Sequence, residues 1–212
     1  MKPNPNSPEF SEAISVEKMR ESDAYTIANY TGSKVLMYRA AQGIYDSADW
    51  KNKKTAVVCG SGNNGGDGYA LACILADRGE DVHIYCLSDK FSDDGRYYHT
   101  MALEKGVKAY EFNEQTDLSC YDIVADCILG TGFTGMPRGN AALAIEKINS
   151  SGAFVISADI NSGLNGDTGE AVLAVKSDLT VSIGFYKTGM FLKDAPALIG
   201  DLVNVDIGIV LI

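Results

Sequence analysis

An aspartate inside an apolar run needs a physical reason, and this chain has two: Asp126 within Ile123 to Leu129, and Asp159 near the end of Phe154 to Ile160. Burying a carboxylate charge in such a run is costly unless it is hydrogen-bonded, paired or bound to a cation. Turn-forming residues follow both acids. Gly130-Thr131-Gly132-Phe133-Thr134-Gly135-Met136 comes after the first, and Asn161-Ser162-Gly163-Leu164-Asn165-Gly166-Asp167-Thr168-Gly169 after the second. Two explanations fit. Each carboxylate can cap the amides of its own loop, as buried polar groups usually do. Alternatively, Asn64, Asp126 and Ser162 offer hard oxygen ligands from three loops, a set suited to a group-I or group-II cation rather than to zinc or copper. Asp159 is then free for proton transfer.

Asn64 belongs to a further glycine-rich stretch, Gly60-Ser61-Gly62-Asn63-Asn64-Gly65-Gly66-Asp67-Gly68, which follows the apolar run Val57-Val58-Cys59. Gly60, Gly62 and Gly65 match G-x-G-x-x-G, a spacing that brings backbone N–H groups and a helix N-terminus to a phosphate. Gly65 and Gly66 read as room for close backbone approach, so Gly66→Val is expected to weaken ligand binding more than stability. Asn63, Asn64 and Asp67 add two amides and a carboxylate where a plain dinucleotide loop is apolar. They point to a cation or a polar ring as well as a phosphate.

These loops need a scaffold that brings them to one edge. Short apolar runs alternate with helical periodicity: strands over Thr55 to Gly60, Asp81 to Leu87, Val107 to Phe112, Ile123 to Leu129, Phe154 to Ile160, Leu179 to Ile183 and Leu202 to Ile209. Helices are predicted at Tyr69 to Arg78, Asp93 to Lys105 and Ala141 to Ser150, with two more, Ser11 to Tyr30 and Ser33 to Trp50, ahead of the first strand. The expected fold is a three-layer, doubly wound, Rossmann-like α/β domain: a mostly parallel sheet, helices on both faces and two N-terminal helices. One domain over residues 1–212 is expected, with residues 1–10 as a flexible tail. Ligands of such sheets lie beyond the carboxyl ends of the strands, where Asp126, Asp159 and the glycine loops fall.

Composition narrows the chemistry. With 28 acidic against 18 basic residues and a formal net charge of -10, the composition argues against a sequence-independent grip on nucleic acid or anionic lipid. The five cysteines show no C-x-x-C spacing, so neither a disulfide framework nor a zinc site is indicated. They read as reduced core residues, and with no export signal or membrane-length apolar run the expected location is cytoplasmic. His83 and His99 read as structural.

The sequence resembles the NAD(P)H-hydrate epimerase family, whose fold is the YjeF N-terminal domain. The resemblance runs through Gly60 to Gly68, Asp126 with Gly130-Thr131-Gly132, Asp159-Ile160-Asn161-Ser162-Gly163-Leu164, Asp167-Thr168-Gly169, Lys187-Thr188-Gly189 and Val205-Asp206-Ile207-Gly208-Ile209. The early Met19-Arg20-Glu21-Ser22-Asp23 belongs to it as well. It implies a substrate, NADHX or NADPHX, in which the nicotinamide ring carries a hydroxyl at C6, and an isomerase that interconverts its R and S forms. It further implies that Asn63, Asn64, Gly65, Gly66, Asp67, Gly130, Thr131, Gly132, Phe133, Thr134, Gly135 and Met136 line the substrate, that Asp159 contacts its reacting end, and that Asn64, Asp126 and Ser162 hold a potassium ion. A homodimer is the expected assembly. The chain departs from the family at Asn161 and Thr188, where proline is usual. Arg138 is a candidate phosphate contact, and Lys187 either touches phosphate or solvates a loop.

A carbon bearing both a hydroxyl and a ring nitrogen loses its configuration by expelling water or by ring opening, and each route moves a proton on or off the hydroxyl. Asp159 is the candidate for that transfer. Two other functions fit the first loop: a nicotinamide-dependent dehydrogenase, with Asp89 holding the ribose, and a non-catalytic binding or scaffold module.

Overall fold

Alternate residues of the central strands feed two different cores, and that alternation fixes the layers. The computed structural model describes residues 1–212. Val57 and Cys59 of β1 (Thr55–Cys59) pack under α3 (Ser33–Asp46), α4 (Asn63–Asp77) and α5 (Asp93–Glu104), together with Ala125 and Cys127 of β4 (Ile123–Cys127). Ala56, Val58 and Val124 face the other way, onto Ala144, Ile145 and Ile148 of α6 (Asn140–Asn149). Strands buried on both faces read as continuous apolar runs, which is why they are plain in the sequence.

With β2 (Val82–Cys86), β3 (Lys108–Glu111), β5 (Phe154–Ala158), β6 (Leu179–Ile183) and β7 (Asp201–Val205) the strands form one parallel sheet in the order β3-β2-β1-β4-β5-β6-β7. The chain leaves β1 toward β2 and β3, then returns to place β4 on the other side of β1. The crevice between the carboxyl ends of β1 and β4 is therefore the topological switch point, the usual ligand position in such sheets. Between β5 and β6 no long helix crosses. The buried amide of Asn161 ties that connection together, donating to the carbonyls of Val175 (3.0 Å) and Leu198 (3.2 Å) and accepting from Thr180 Oγ1 (2.7 Å).

Two expectations are corrected. The first ten residues are held at both ends rather than free. Leu202 N donates to the Met1 carbonyl at 2.6 Å, the Met1 ammonium donates to Leu202 O at 3.0 Å, and Phe10 packs edge-on against Phe191 at 5.7 Å. A short turn, α1 (Pro8–Ser11), then precedes α2 (Val16–Asn29), whose first turn is capped by Ser15 Oγ accepting from Lys18 N at 3.1 Å. Between them Ile14 bridges the far end of the chain: its N–H donates to Tyr186 O (2.9 Å) and its carbonyl accepts from Thr188 N (3.0 Å). A proline at 188 has no N–H to give, so this departure from the family pattern adds a bond.

The second correction concerns the glycine stretch. The helix after β1 begins at Asn63 rather than Tyr69, with Gly62 as its N-cap and Gly66 N donating to Gly62 O at 3.2 Å. Gly65 and Gly66 are buried in its first turns. A Cβ on Gly65 would stand 2.0 Å from the Gly60 carbonyl oxygen; one on Gly66 would stand 2.4 Å from Met37 Cε and 3.3 Å from Gly95 Cα. These glycines let α4 settle between α3, α5 and the end of β1, and their open sides face protein rather than ligand. Gly66→Val is now expected to cost about 1–3 kcal/mol of stability by overpacking, read by urea unfolding; a midpoint equal to the parent's would contradict this packing role.

Candidate active site

Beyond the carboxyl ends of β1, β4 and β5 lie two adjoining cavities, of about 700 Å³ and about 170 Å³. Asn63, Asp67 and Asp159 line both, so these three residues mark the junction. Asn64, Gly130, Gly132 and Phe133 line the larger cavity and Thr131 the smaller. Gly65, Gly66, Thr134, Gly135 and Met136 line neither. Arg138 is the sole basic residue of the larger cavity, and the first turn of α4 opens onto the same space. Asp89 lies in a separate groove with Phe91 and His99.

Asp159 follows the last residue of β5, and its backbone has φ 65°, in the left-handed region that non-glycine residues seldom occupy. Such strain tends to collect at functional positions and is held by surrounding bonds. Here Asp159 N donates to Val181 O at 2.8 Å. Its two carboxylate oxygens have different surroundings. Oδ1 accepts from Lys187 Nζ at 2.5 Å; Oδ2 accepts only a long bond, 3.4 Å, from Thr131 N. Lys187 neither touches solvent nor reaches for phosphate, contrary to both sequence readings. Its side chain is 0% exposed, and the ammonium also donates to Ile183 O (2.9 Å) and Ser182 Oγ (3.4 Å). The Ile14 bridge grips the residues on either side of Lys187, which fixes the ammonium under Asp159.

Two further carboxyl groups approach this pair. Burial, reinforced by the charges of Asp159 and Asp23, pushes the Asp67 carboxyl well above the usual range, and Lys187 opposes that shift. Asp23 of α2 is raised by burial and by Asp159.

Asp126 is fully buried and has no cationic side chain against it. It is satisfied instead by four donors: Ser162 Oγ (2.5 Å) and Ile128 N (3.3 Å) at Oδ1, and Ser162 N (2.9 Å) and Ser157 Oγ (2.9 Å) at Oδ2. Burial still raises its carboxyl, against the pull of these bonds. Two of the three proposed cation ligands are thus in direct contact. The third, Asn64, is 7% exposed, and neither polar atom of its amide has a partner. No three His, Cys, Asp or Glu side chains cluster as a metal cage. The set offers one carboxylate, one hydroxyl and an orphaned amide oxygen, donors that suit an alkali cation.

A family model described as YjeF-related protein N-terminus matches residues 33–189, a span that includes β1, α4, both glycine loops, Asp126, Asp159 and Lys187. The chain belongs to this family. It is 37% identical over 205 residues to an NAD(P)H-hydrate epimerase of Oenococcus oeni, covering 92% of this chain and 96% of the relative. It is 36% identical over 213 residues to an NAD(P)H-hydrate epimerase of Lentilactobacillus buchneri, covering 94% and 96%. The crystal structure of yeast YNL200c superposes with a TM-score of 0.76 at 17% identity, over 91% of this chain and 86% of that one, and shares the fold. The YjeF-related N-terminal fold thus accounts for the parallel sheet, and α2 supplies Met19, Arg20 and Asp23 to the smaller cavity from outside the matched span.

Proposed function

We propose that this chain is an NAD(P)H-hydrate epimerase, an isomerase that interconverts the R and S forms of NADHX and NADPHX. The observation that carries the reading is the asymmetry of Asp159: Lys187 occupies one carboxylate oxygen, and the other is left for a ligand at the junction of the two cavities. A carboxylate oxygen placed so can accept a proton from the C6 hydroxyl, or from water adding at C6. The near full-length likeness to two NAD(P)H-hydrate epimerases supports this substrate over others.

The dinucleotide fits the larger cavity, with pyrophosphate at the open N–H groups of α4 and Arg138. Asn63, Asn64 and the Gly130–Phe133 turn hold the ring side, and the damaged ring reaches Asp159. Gly65 and Gly66 serve through the helix they permit. The assay that decides is purified R-NADHX followed for appearance of the S form, with reduction state unchanged. Failure of that conversion overturns the proposal, and oxidation of NADH by a reducible substrate would assign a dehydrogenase instead.

Asn64, Asp126 and Ser162 would hold a potassium ion, which supplies a fixed positive charge beside the substrate's oxygens and ties the three loops together. The orphaned Asn64 amide supports this reading. An ion bound only to the folded state stabilises it by roughly 2.7 kcal/mol at about 100 times its Kd. Potassium is therefore expected to raise the melting temperature above that in lithium at matched ionic strength, and Asn64→Ala to abolish the difference. Equal melting temperatures for the parent in both salts would remove the cation from the site.

A homodimer in solution is part of the proposal, checked by sedimentation. No helix is long and apolar enough to cross a membrane, and all five cysteines are free; a cytoplasmic location is part of the proposal.

A further inference from the structure

We infer that Asp67 is a second catalytic residue of the epimerisation, the proton donor to the departing hydroxyl, with Asp159 as the acceptor on the return step. The inference rests on the function proposed above. Asp67 and Asp159 both line the two cavities where these meet, yet they arrive from different places: Asp67 from α4 after β1, Asp159 from the end of β5, with β4 between those strands. Asp67 has no hydrogen-bond donor in the chain, whereas Asp126 has four and Asp159 is held by Lys187; Asp23 and Asp94 are equally unbonded, but they line only the smaller cavity and stand away from the junction. An unbonded carboxyl at the cavity junction keeps its oxygens for a ligand.

Other acids are removed by their geometry. The three ammonium protons of Lys187 point to Asp159, Ser182 and Ile183. Arg20 and Arg138 are permanent cations and give up no proton. No histidine lines either cavity. The groups facing Asp67 are Asp159 with Lys187, Asp23 and Arg20 of α2, Asp94 of α5, Arg138, and the Cys59 and Cys127 thiols. Burial and the neighbouring carboxylates push the Asp67 carboxyl well up, the condition for a donor at neutral pH.

Asp67 gives its proton to the C6 hydroxyl; the C6–O bond breaks with its electron pair leaving on water, and the N1 lone pair closes a C6=N1 iminium. Water then adds at the other face of C6 as Asp159 takes one of its protons and the iminium pair returns to N1. Asp67 ends as carboxylate and Asp159 as acid, and exchange with solvent water resets both.

The test compares the parent, Asp67→Asn, Asp67→Ser and Asp67→Glu on R-NADHX, with a parallel run in ¹⁸O water. We expect kcat to fall roughly 100-fold or more in the first two with KM within about threefold, the loss typical of a removed general acid. Asp67→Glu should recover part of the rate. The parent's kcat should fall on the alkaline side as Asp67 loses its proton, a limb absent from Asp67→Asn, and each inversion should place ¹⁸O at C6. Folding is controlled by melting. A carboxyl whose folded pKa is raised costs stability once pH passes its unfolded value, so Asp67→Asn should melt at or above the parent at neutral pH. Turnover of Asp67→Asn within about threefold of the parent, less than 1 kcal/mol of barrier, overturns the inference, as does a change in KM alone or retention of the substrate oxygen. If the parent does not convert R-NADHX, the proposed function itself fails and takes the inference with it; if the parent converts and the variants do too, only Asp67 is displaced.

Discussion

Asp159→Asn is expected to lose roughly 100- to 10,000-fold in kcat for conversion of R-NADHX to the S form, about 3–5 kcal/mol of barrier. The amide matches the carboxylate in shape and still accepts a bond from Lys187, but it takes up no proton from water or a hydroxyl. The position holds an uncommon backbone conformation, φ 65°, which asparagine tolerates as readily as aspartate. The substitution does carry a structural penalty. It leaves the Lys187 ammonium buried without an anion, so a loss of about 1–3 kcal/mol in urea unfolding is expected beside the kinetic one. Kinetics are therefore compared well below the variant's melting temperature. Turnover within about threefold of the parent there would strip Asp159 of its role.

Lys187→Met is expected to damage activity and fold together. Methionine fills similar volume but donates nothing, so Asp159 Oδ1, Ser182 Oγ and the Ile183 carbonyl all lose a donor. Breaking a buried ion pair from one side usually costs more than the pair contributes, because the remaining charge stays desolvated. The Asp159 side chain keeps 16% of its surface in the cleft, so solvent recovers part of that cost. About 2–4 kcal/mol of stability should be lost at neutral pH, with kcat falling at least roughly 30-fold as Asp159 loses its fixed orientation. The decisive measurement is the double variant Asp159→Asn/Lys187→Met. It should be more stable than the sum of the single losses predicts by at least about 1 kcal/mol, since the second change removes the charge the first stranded. Strict additivity would mean that the two groups do not act as a pair.

The parts of the site written in neighbouring residues were legible in the sequence. Asp126 and Asp159 stood out against apolar strands, and the turns after them fell at the sheet edge because strand and turn are local signals. That the sheet is parallel and doubly wound followed from alternation of strands and helices together with the glycine loop, whereas the order of its strands appears only in the structure. The start of α4 was misread for an equally local reason. Asn63 to Gly68 has poor helix propensity, each glycine costing up to about 1 kcal/mol relative to alanine. What makes the turn helical is contact with Met37, Gly95 and the Gly60 carbonyl, none of which a local reading sees. Lys187 escaped for the same cause. It stands 28 residues from its partner, after a strand and a turn, and nothing in Phe185-Tyr186-Lys187-Thr188 marks the lysine as buried. One signal was available: a lone lysine in an otherwise weakly charged stretch just after an apolar strand. The anchoring of Met1 left no trace in composition, because it runs through backbone bonds to β7.

Those bonds bear on the order in which the molecule is made. Met1 meets Leu202 across 201 residues of sequence, and Val16 N donates to Asp167 Oδ1 across 151. Ile14 clamps the turn that carries Lys187, which is made long after it. Contacts this distant along the chain pay their loop-closure entropy late and slow folding. On the ribosome β1, α4 and β2 can pair as soon as they emerge, yet Asp159 waits, without its ammonium partner, until the residues beyond β6 leave the exit tunnel. The reactive centre is accordingly completed only after Lys187 has been made, and a nascent chain stalled before Lys187 would carry the glycine loops and both strand-end aspartates while lacking the ion pair that orients Asp159.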